Sequence, residues 1–388
     1  MIIRKMCLIA FFSAIAAGAA AQWEMEAVRQ ELSQISVPAD IEDYHPAFHF
    51  SPVNQDTTLV CWSFSTLSFI ETEMHRLGLR PVRLALMFPV YYTFVEKTRA
   101  FVQSKGRTRF EPGDLFSTVF EIINSYGIVP QSVYRGQVRA GKTYNQDSLY
   151  AEIKSYVFSL RETQDWDEAK TVNQVKNILD KHLGKPPDSF EFEGKIYSPL
   201  SFLNEHVNLP WQDYILVTSF MYAPFDSFCS LNVPDNWRQN SKFFNVPLAQ
   251  FYAGLIGALQ NGYSVAIDGD TGEYGRYGRR DVAFIPAYDI PAEDITQESR
   301  EYRFEKGLTT DDHLMHMVGY TRSAGFDWFL IKDSWRDAWE GEQKGYFFYR
   351  VDFVKLKVLA YLVHRDAVPE IISRIPPGIS PTFIQAFH

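Results

Sequence analysis

Through the first two-thirds of the chain, apolar residues recur at spacings of three and four, as they do in helices with one buried face. From Cys61 the run CWSFSTLSFIETEMHRLG puts Phe64, Leu67, Ile70, Met74 and Leu77 on one stripe, with Glu71 and Glu73 outside it and Gly78 as a natural stop. Residues 87–103 predict a second, strongly aromatic amphipathic helix. A third is predicted over 113–126, with Leu115, Val119, Ile122 and Tyr126 on one face and Gly127 closing it. Leu149, Ile153, Val157 and Leu160 mark a fourth. Val172, Val175, Leu179 and Leu183 mark a fifth, ended by Gly184 and Pro186-Pro187. The charged run 162–170 between these two reads as a solvated loop or a helix start.

The last third changes period. Segments 263–270, 316–322, 327–333, 345–353 and 358–365 are short, rich in β-branched and aromatic residues, and separated by turns. Gly325 lies between two of them as a hairpin signal. The pattern predicts an α+β protein: a helical lobe over about 55–260, a β-rich lobe over 261–365, and a cleft between them. A proline-rich stretch at 366–388 reads as an extended C-terminal arm.

The N-terminal 21 residues have the layout of a secretory signal: Arg4 and Lys5, an apolar run over 6–17, and Ala19-Ala20-Ala21 before Gln22. No other stretch is long and apolar enough to span a bilayer. Export to a periplasm or to the outside is therefore expected, with 22–388 as the working unit. The formal net charge is −9, and losing Arg4 and Lys5 makes the remainder more acidic still. That balance disfavours nucleic acid and anionic membranes as partners. Beyond the signal only Cys61 and Cys229 remain, too few and too far apart for a disulfide framework, and free thiols are expected.

Cys61 is the candidate for chemistry. It opens its helix, where the positive end of the dipole favours a thiolate. A lone cysteine at such a place is also a common small core residue, so a partner is needed. The β-rich lobe offers one in DDHLMHMVGY (311–320), followed by WFLIKDSW (328–335). His313 and His316 have opposite parity on a strand, so only one can face a given site, which argues against a metal pair. The segment 268–273, DGDTGE, lacks the later ligands of a calcium loop and reads as a solvated turn. No metal or cofactor is expected.

The order Gln55, Cys61-Trp62-Ser63-Phe64, Asp312-His313, Val318-Gly319-Tyr320 and Lys332-Asp333-Ser334-Trp335 resembles the papain-like cysteine peptidases, and within them the bleomycin hydrolase (aminopeptidase C-like) branch. Further stretches, among them SFIETEMHRLG, INSYGIVP, VPDNW and NGYSVAIDGD, extend the likeness from about residue 48 to 369. The resemblance implies a papain-like two-lobed fold and peptide substrates. By position it implies Cys61 as nucleophile, His313 as general base, Gln55 as oxyanion donor and Trp335 as a shield for the histidine's outer hydrogen bond. It implies that His316 points into the core. Gly113, in Pro112-Gly113, stands where a glycine pair often holds substrate backbone. In this branch the C-terminal arm lies in the cleft, and its end carboxylate captures the substrate amino group. Relatives often form ring-shaped hexamers, so a homo-oligomer is among the states implied.

Several positions depart from the pattern. Asp333 stands where asparagine is usual; it can still orient the imidazole, and its charge is expected to raise the histidine pKa and alter pH dependence. Leu59 and Val60 replace a glycine and a small hydroxyl residue, which would narrow and dry the cleft wall. Arg336 and Glu340 replace glycines after Trp335. The leading expectation is an exported cysteine peptidase with aminopeptidase behaviour. The alternative is a papain-like scaffold of weak activity that binds peptides or partner proteins.

Overall fold

The structure is a computed structural model and describes residues 23–137 and 144–384. The expected signal at 1–21 and the end of the arm, Phe387-His388, lie outside the described residues. The five expected helices form at α1 (Cys61–Arg76), α2 (Met87–Gln103), α3 (Phe116–Tyr126), α4 (Asp147–Thr163) and α5 (Glu168–Leu183). Asp167, inside the charged run, caps α5 by accepting from the Lys170 backbone N–H.

α1 is buried on every side and not on one stripe. Trp62, Leu67, Phe69 and Ile70 are fully enclosed, and Glu71 and Glu73, expected outside the stripe, are enclosed with them, while Leu77 at the end is exposed. A helix wrapped by protein must pair its acids. The Glu73 carboxylate accepts from Arg76 (2.7 Å) and from the Tyr214 hydroxyl (3.0 Å), and Glu71 accepts from the Leu84 N–H at 2.7 Å. Gly78, at a positive φ of 72°, lets the Leu79 N–H fold back to the Met74 carbonyl and close the helix.

Most strands join one mixed sheet. A small hairpin, β1 (Phe190–Phe192) and β2 (Lys195–Tyr197), stands apart. The large sheet comprises β3 (Tyr214–Thr218), β4 (Ser227–Cys229), β5 (Phe243–Asn245), β6 (Val265–Gly269), β7 (Arg276–Tyr277), β8 (Val282–Ala283), β9 (His313–Ser323), β10 (Phe326–Lys332), β11 (Tyr346–Arg350) and β12 (Val358–His364). Their order is β4-β5-β3-β12-β6-β9-β10-β11-β8-β7. Three of these strands, β3 to β5, come from within the stretch expected to be helical. Each is too short to show a period, and only partner strands far along the chain make them strands. The segment 345–353 also divides: β11 ends at Arg350 and α6 (Val351–Lys357) follows, with Phe353, Val354 and Leu356 turning inward.

β9 and β10 form a hairpin through Ala324 and Gly325, both at positive φ (49° and 85°), the turn that matches strand twist. On β9, Leu314 lies in the apolar core around α1, while Met315 and Met317 lie in a second core beneath the sheet. His316 faces α1, where its Nδ1 meets the Ser68 hydroxyl at 2.8 Å, and it is fully buried. His313, at the strand's first residue, also reaches α1, meeting Cys61 at the helix start, so strand parity does not separate the two histidines as expected. The expected arm does not run free: Ile371 and Phe383 are buried, and the Phe383 ring packs at a tilt against Phe120, 5.4 Å between centroids.

Candidate active site

Cys61 stands at the first turn of α1. The residue before it, Val60, offers no side-chain cap, and no acid occupies the first turn. Of the first-turn N–H groups, Ser63 turns back to the Val60 carbonyl at 3.0 Å, and the helix end keeps its partial positive charge beside the Cys61 sulfur. The Leu314 N–H from β9 points at this sulfur, 3.5 Å away. Cys61 and Cys229 are both free thiols.

His313 reaches the same spot from the sheet lobe. Its Nε2 lies 2.7 Å from Asp333 Oδ1, just beyond the end of β10, and the ring's other nitrogen is left for Cys61, which lies within hydrogen-bonding reach. Burial would lower the imidazole pKa; the Asp333 carboxylate and the Cys61 sulfur outweigh burial and raise it to about 10. The ring is thus held as an imidazolium beside the thiol. The Trp335 indole crosses the histidine edge-on at 6.2 Å, and its backbone N–H donates to Asp333 Oδ1 at 2.8 Å.

Burial alone would make Asp333 hard to ionise. His313 and Arg276 instead hold its carboxyl well below the usual carboxylate range. Arg276 went unnoticed in the sequence. It lies on β7, at the far edge of the sheet order, yet its guanidinium donates to Asp333 Oδ2 at 2.6 Å, to the Tyr349 hydroxyl at 3.2 Å and to Asp337, over the face of Phe347. A buried aspartate beside the histidine calls for a nearby cation, which was the available signal. Nothing in the spacing singles out Arg276 from Arg279 and Arg280.

Gln55 is buried and lines the same cleft as Cys61. Its Oε1 accepts from the Ser334 hydroxyl at 2.6 Å, and its amide nitrogen donates one hydrogen to the Thr58 carbonyl at 2.7 Å, leaving a second for another acceptor. The Gln55 N–H to Ser334 carbonyl bond (2.8 Å) ties the two lobes together at this point. Ser334, too, was not read from the sequence as part of the site.

These groups open on a cleft of about 340 Å³ between the lobes, with Cys61 and His313 at its floor and Gly113 and Trp335 among its walls. Leu59 is half exposed on the cleft wall, but Val60 is fully buried in the core, so only one of the two bulky residues narrows the opening. Gly113 faces the Asp235 carboxylate: a Cβ there would come within 1.9 Å of Asp235 Oδ2. Close approach by Asp235 is thus reason enough for glycine at that position. Arg336 opens a short 3-10 turn, Arg336–Trp339, that carries Asp337 to Arg276. The segment 268–273 is not a solvated turn. Asp268 and Asp270 are buried, and Asp270 pairs with the enclosed Lys357 at 3.3 Å.

The comparisons with known proteins agree with this architecture. The family model "Peptidase C1-like family" matches residues 19–376. Aminopeptidase G of Lactobacillus delbrueckii subsp. lactis is 22% identical over 375 residues, covering 84% of this chain and 85% of its own length. Aminopeptidase C of Lactococcus lactis subsp. lactis (strain IL1403) is 23% identical, covering 82% and 81%. The crystal structure of PepW from Lactobacillus rhamnosis HN001 superposes with a TM-score of 0.67 at 16% identity over 90% of both chains, which shows the shared fold. A papain-like, two-lobed α+β chain with a cysteine and a histidine facing each other across its cleft, this protein belongs to the Peptidase C1-like family of cysteine peptidases.

Proposed function

We propose that this chain is an exported thiol peptidase acting on peptides with a free amino end. The observation that carries the reading is the placement of His313 between Asp333 Oδ1, at 2.7 Å, and the Cys61 sulfur at an uncapped helix start. In the proposed cycle the Cys61 thiolate attacks the scissile carbonyl carbon, and the oxyanion is received by the second Gln55 amide hydrogen and the Cys61 N–H. The His313 imidazolium gives its proton to the departing amine, leaving a thioester. Water then attacks the thioester, with His313 taking its proton, and the acid product leaves as Cys61 is restored. Asp333 orients the imidazole throughout. The names of the relatives support cleavage from the amino end. The layout of Arg4, Lys5, the apolar run and the three alanines supports export.

The test is hydrolysis of fluorogenic peptides with free and acetylated N-termini by the wild type and by Cys61→Ala. Release from free-amine peptides that vanishes in Cys61→Ala supports the reading. Turnover that survives the substitution, or acetylated peptides cut as fast as free ones, overturns it.

A further inference from the structure

The carboxylates around the cleft divide into two sets. Glu111 is paired with Lys154 at 3.0 Å, and Asp114 with the enclosed Lys97 at 3.2 Å, so both are neutralised within the protein. Asp235, Asp311 and Asp312 line the same cleft, and among the described residues none has a cationic side chain at ion-pair distance. Among the described residues, Asp312 accepts only the Thr271 backbone N–H (2.9 Å) and hydroxyl (3.1 Å). The Asp235 carboxylate rests against the bare face of Gly113. Both Asp311 oxygens are shut off from solvent with no donor, and behind them stands Asp268, fully buried and equally without a donor.

Carboxylates left this way raise each other's cost of ionisation. Burial pushes all three cleft groups upward, Asp311 to about 7, and neighbouring carboxylates add to it, while Lys97 and Arg109 pull Asp235 part of the way back and His313 does so for Asp312; Asp268, behind Asp311, is raised in the same way. The one countercharge among the described residues lining the cleft, apart from His313, is the exposed Arg109. A cation entering the cleft relieves this repulsion where the dielectric is low and the field is focused. A metal ion does not suit the site. Among the described residues no three His, Cys, Asp or Glu side chains are grouped to hold one. The remaining class is an organic cation carried by the peptide itself.

Resting on the peptidase reading above, we propose that Asp235, Asp311 and Asp312 form a subsite for a positively charged group of the bound peptide, an ammonium or guanidinium, with Asp235 as its specificity-determining residue. Two parts of a peptide supply that chemistry: the N-terminal α-ammonium and a lysine or arginine side chain. Either would sit between Asp235 and Asp312 while the adjoining carbonyl lies over Cys61.

The test uses the full chain and a matrix of fluorogenic peptides. The residues arginine, citrulline, lysine and norleucine are each presented with free and acetylated N-termini. Charged peptides should exceed their neutral isosteres about tenfold or more in kcat/KM, equivalent to about 1.4 kcal/mol, and the ratio should shrink as salt screens the site. If acetylation abolishes the preference whatever the side chain, the α-ammonium is the ligand; if the arginine–citrulline gap persists in acetylated peptides, the side chain is. Asp235→Asn, and separately Asp312→Asn, should move the ratio toward one. Binding of fluorescent peptides to Cys61→Ala, read by anisotropy, separates this inference from turnover. Charge-selective binding without hydrolysis would remove the peptidase reading and leave the subsite. Hydrolysis or binding indifferent to charge, or a ratio unmoved in both aspartate variants, overturns the subsite.

Discussion

Arg276 and Asp333 meet at 2.6 Å with side chains only 3% and 0% exposed, so the carboxylate beside His313 is matched by a guanidinium sealed in the same interior. This bears on the departure from the usual asparagine. An uncompensated aspartate would place a full negative charge under the imidazole; the ion pair presents something nearer to a neutral dipole with the same acceptor geometry.

Removing that countercharge has two consequences. Arg276→Met should destabilise the fold by up to about 3–5 kcal/mol, because it removes one of the two cations that offset a buried carboxylate and leaves only His313. It should also move the alkaline limb of Cys61 alkylation upward, since an unopposed Asp333 favours the imidazolium. The double variant Asp333→Asn, Arg276→Met should regain much of the stability, and its alkaline limb should fall below that of the wild type. Urea denaturation and iodoacetamide kinetics across pH give both readouts. A double variant no more stable than the single one counts against charge matching.

The charged state of His313 also links to stability. Its folded pKa, about 10, lies above its ordinary 6.5. The stabilisation is therefore fully present below pH about 6.5 and is lost as pH rises through about 10. Asp333 has the opposite sign: its folded pKa is depressed, so its contribution is present above the ordinary carboxylate range and is lost on strong acidification. Urea midpoints of wild type and His313→Gln, measured from pH 6 to 10, should converge toward the alkaline end. A constant gap would show that His313 carries no linked charge.

Gln55 is held by Ser334 and Thr58 with one amide hydrogen to spare. If that hydrogen receives the oxyanion, Gln55→Ala lowers kcat by roughly 100- to 1,000-fold, about 3–4 kcal/mol. The rate of Cys61 alkylation, which forms no oxyanion, should change far less. Equal losses in both assays would assign Gln55 a purely structural part.

Gly113→Ala places a methyl group 1.9 Å from Asp235 Oδ2, a contact that forces the carboxylate away. The preference for cationic peptides should weaken more than thermal stability does, because Asp235 is partly exposed and free to swing outward. Melting curves beside the arginine–citrulline ratio test this. A large drop in melting temperature with the ratio intact would place the strain in the backbone and not in the subsite.

The sequence by itself determined the five helices α1 to α5, though not α6, which it read as part of a strand. α2 spans the expected residues, and α1 begins at Cys61, because a period of 3.6 and the stops at Gly78, Gly127 and Gly184 are local signals that each segment carries alone. It also marked Cys61, His313, Asp333 and Gln55 as candidates through their order and neighbours. Strands as short as β3 to β5 carry no such signal, and their identity comes from the partners they find in the sheet. Only the tertiary structure decided that Glu71 and Glu73 are buried, that Arg276 rather than its neighbours meets Asp333, and that Asp235 comes to rest on Gly113. Periodicity reports which face of a segment is apolar. Charges brought together across long stretches of chain depend on how the two lobes close, and that is settled only when they pack.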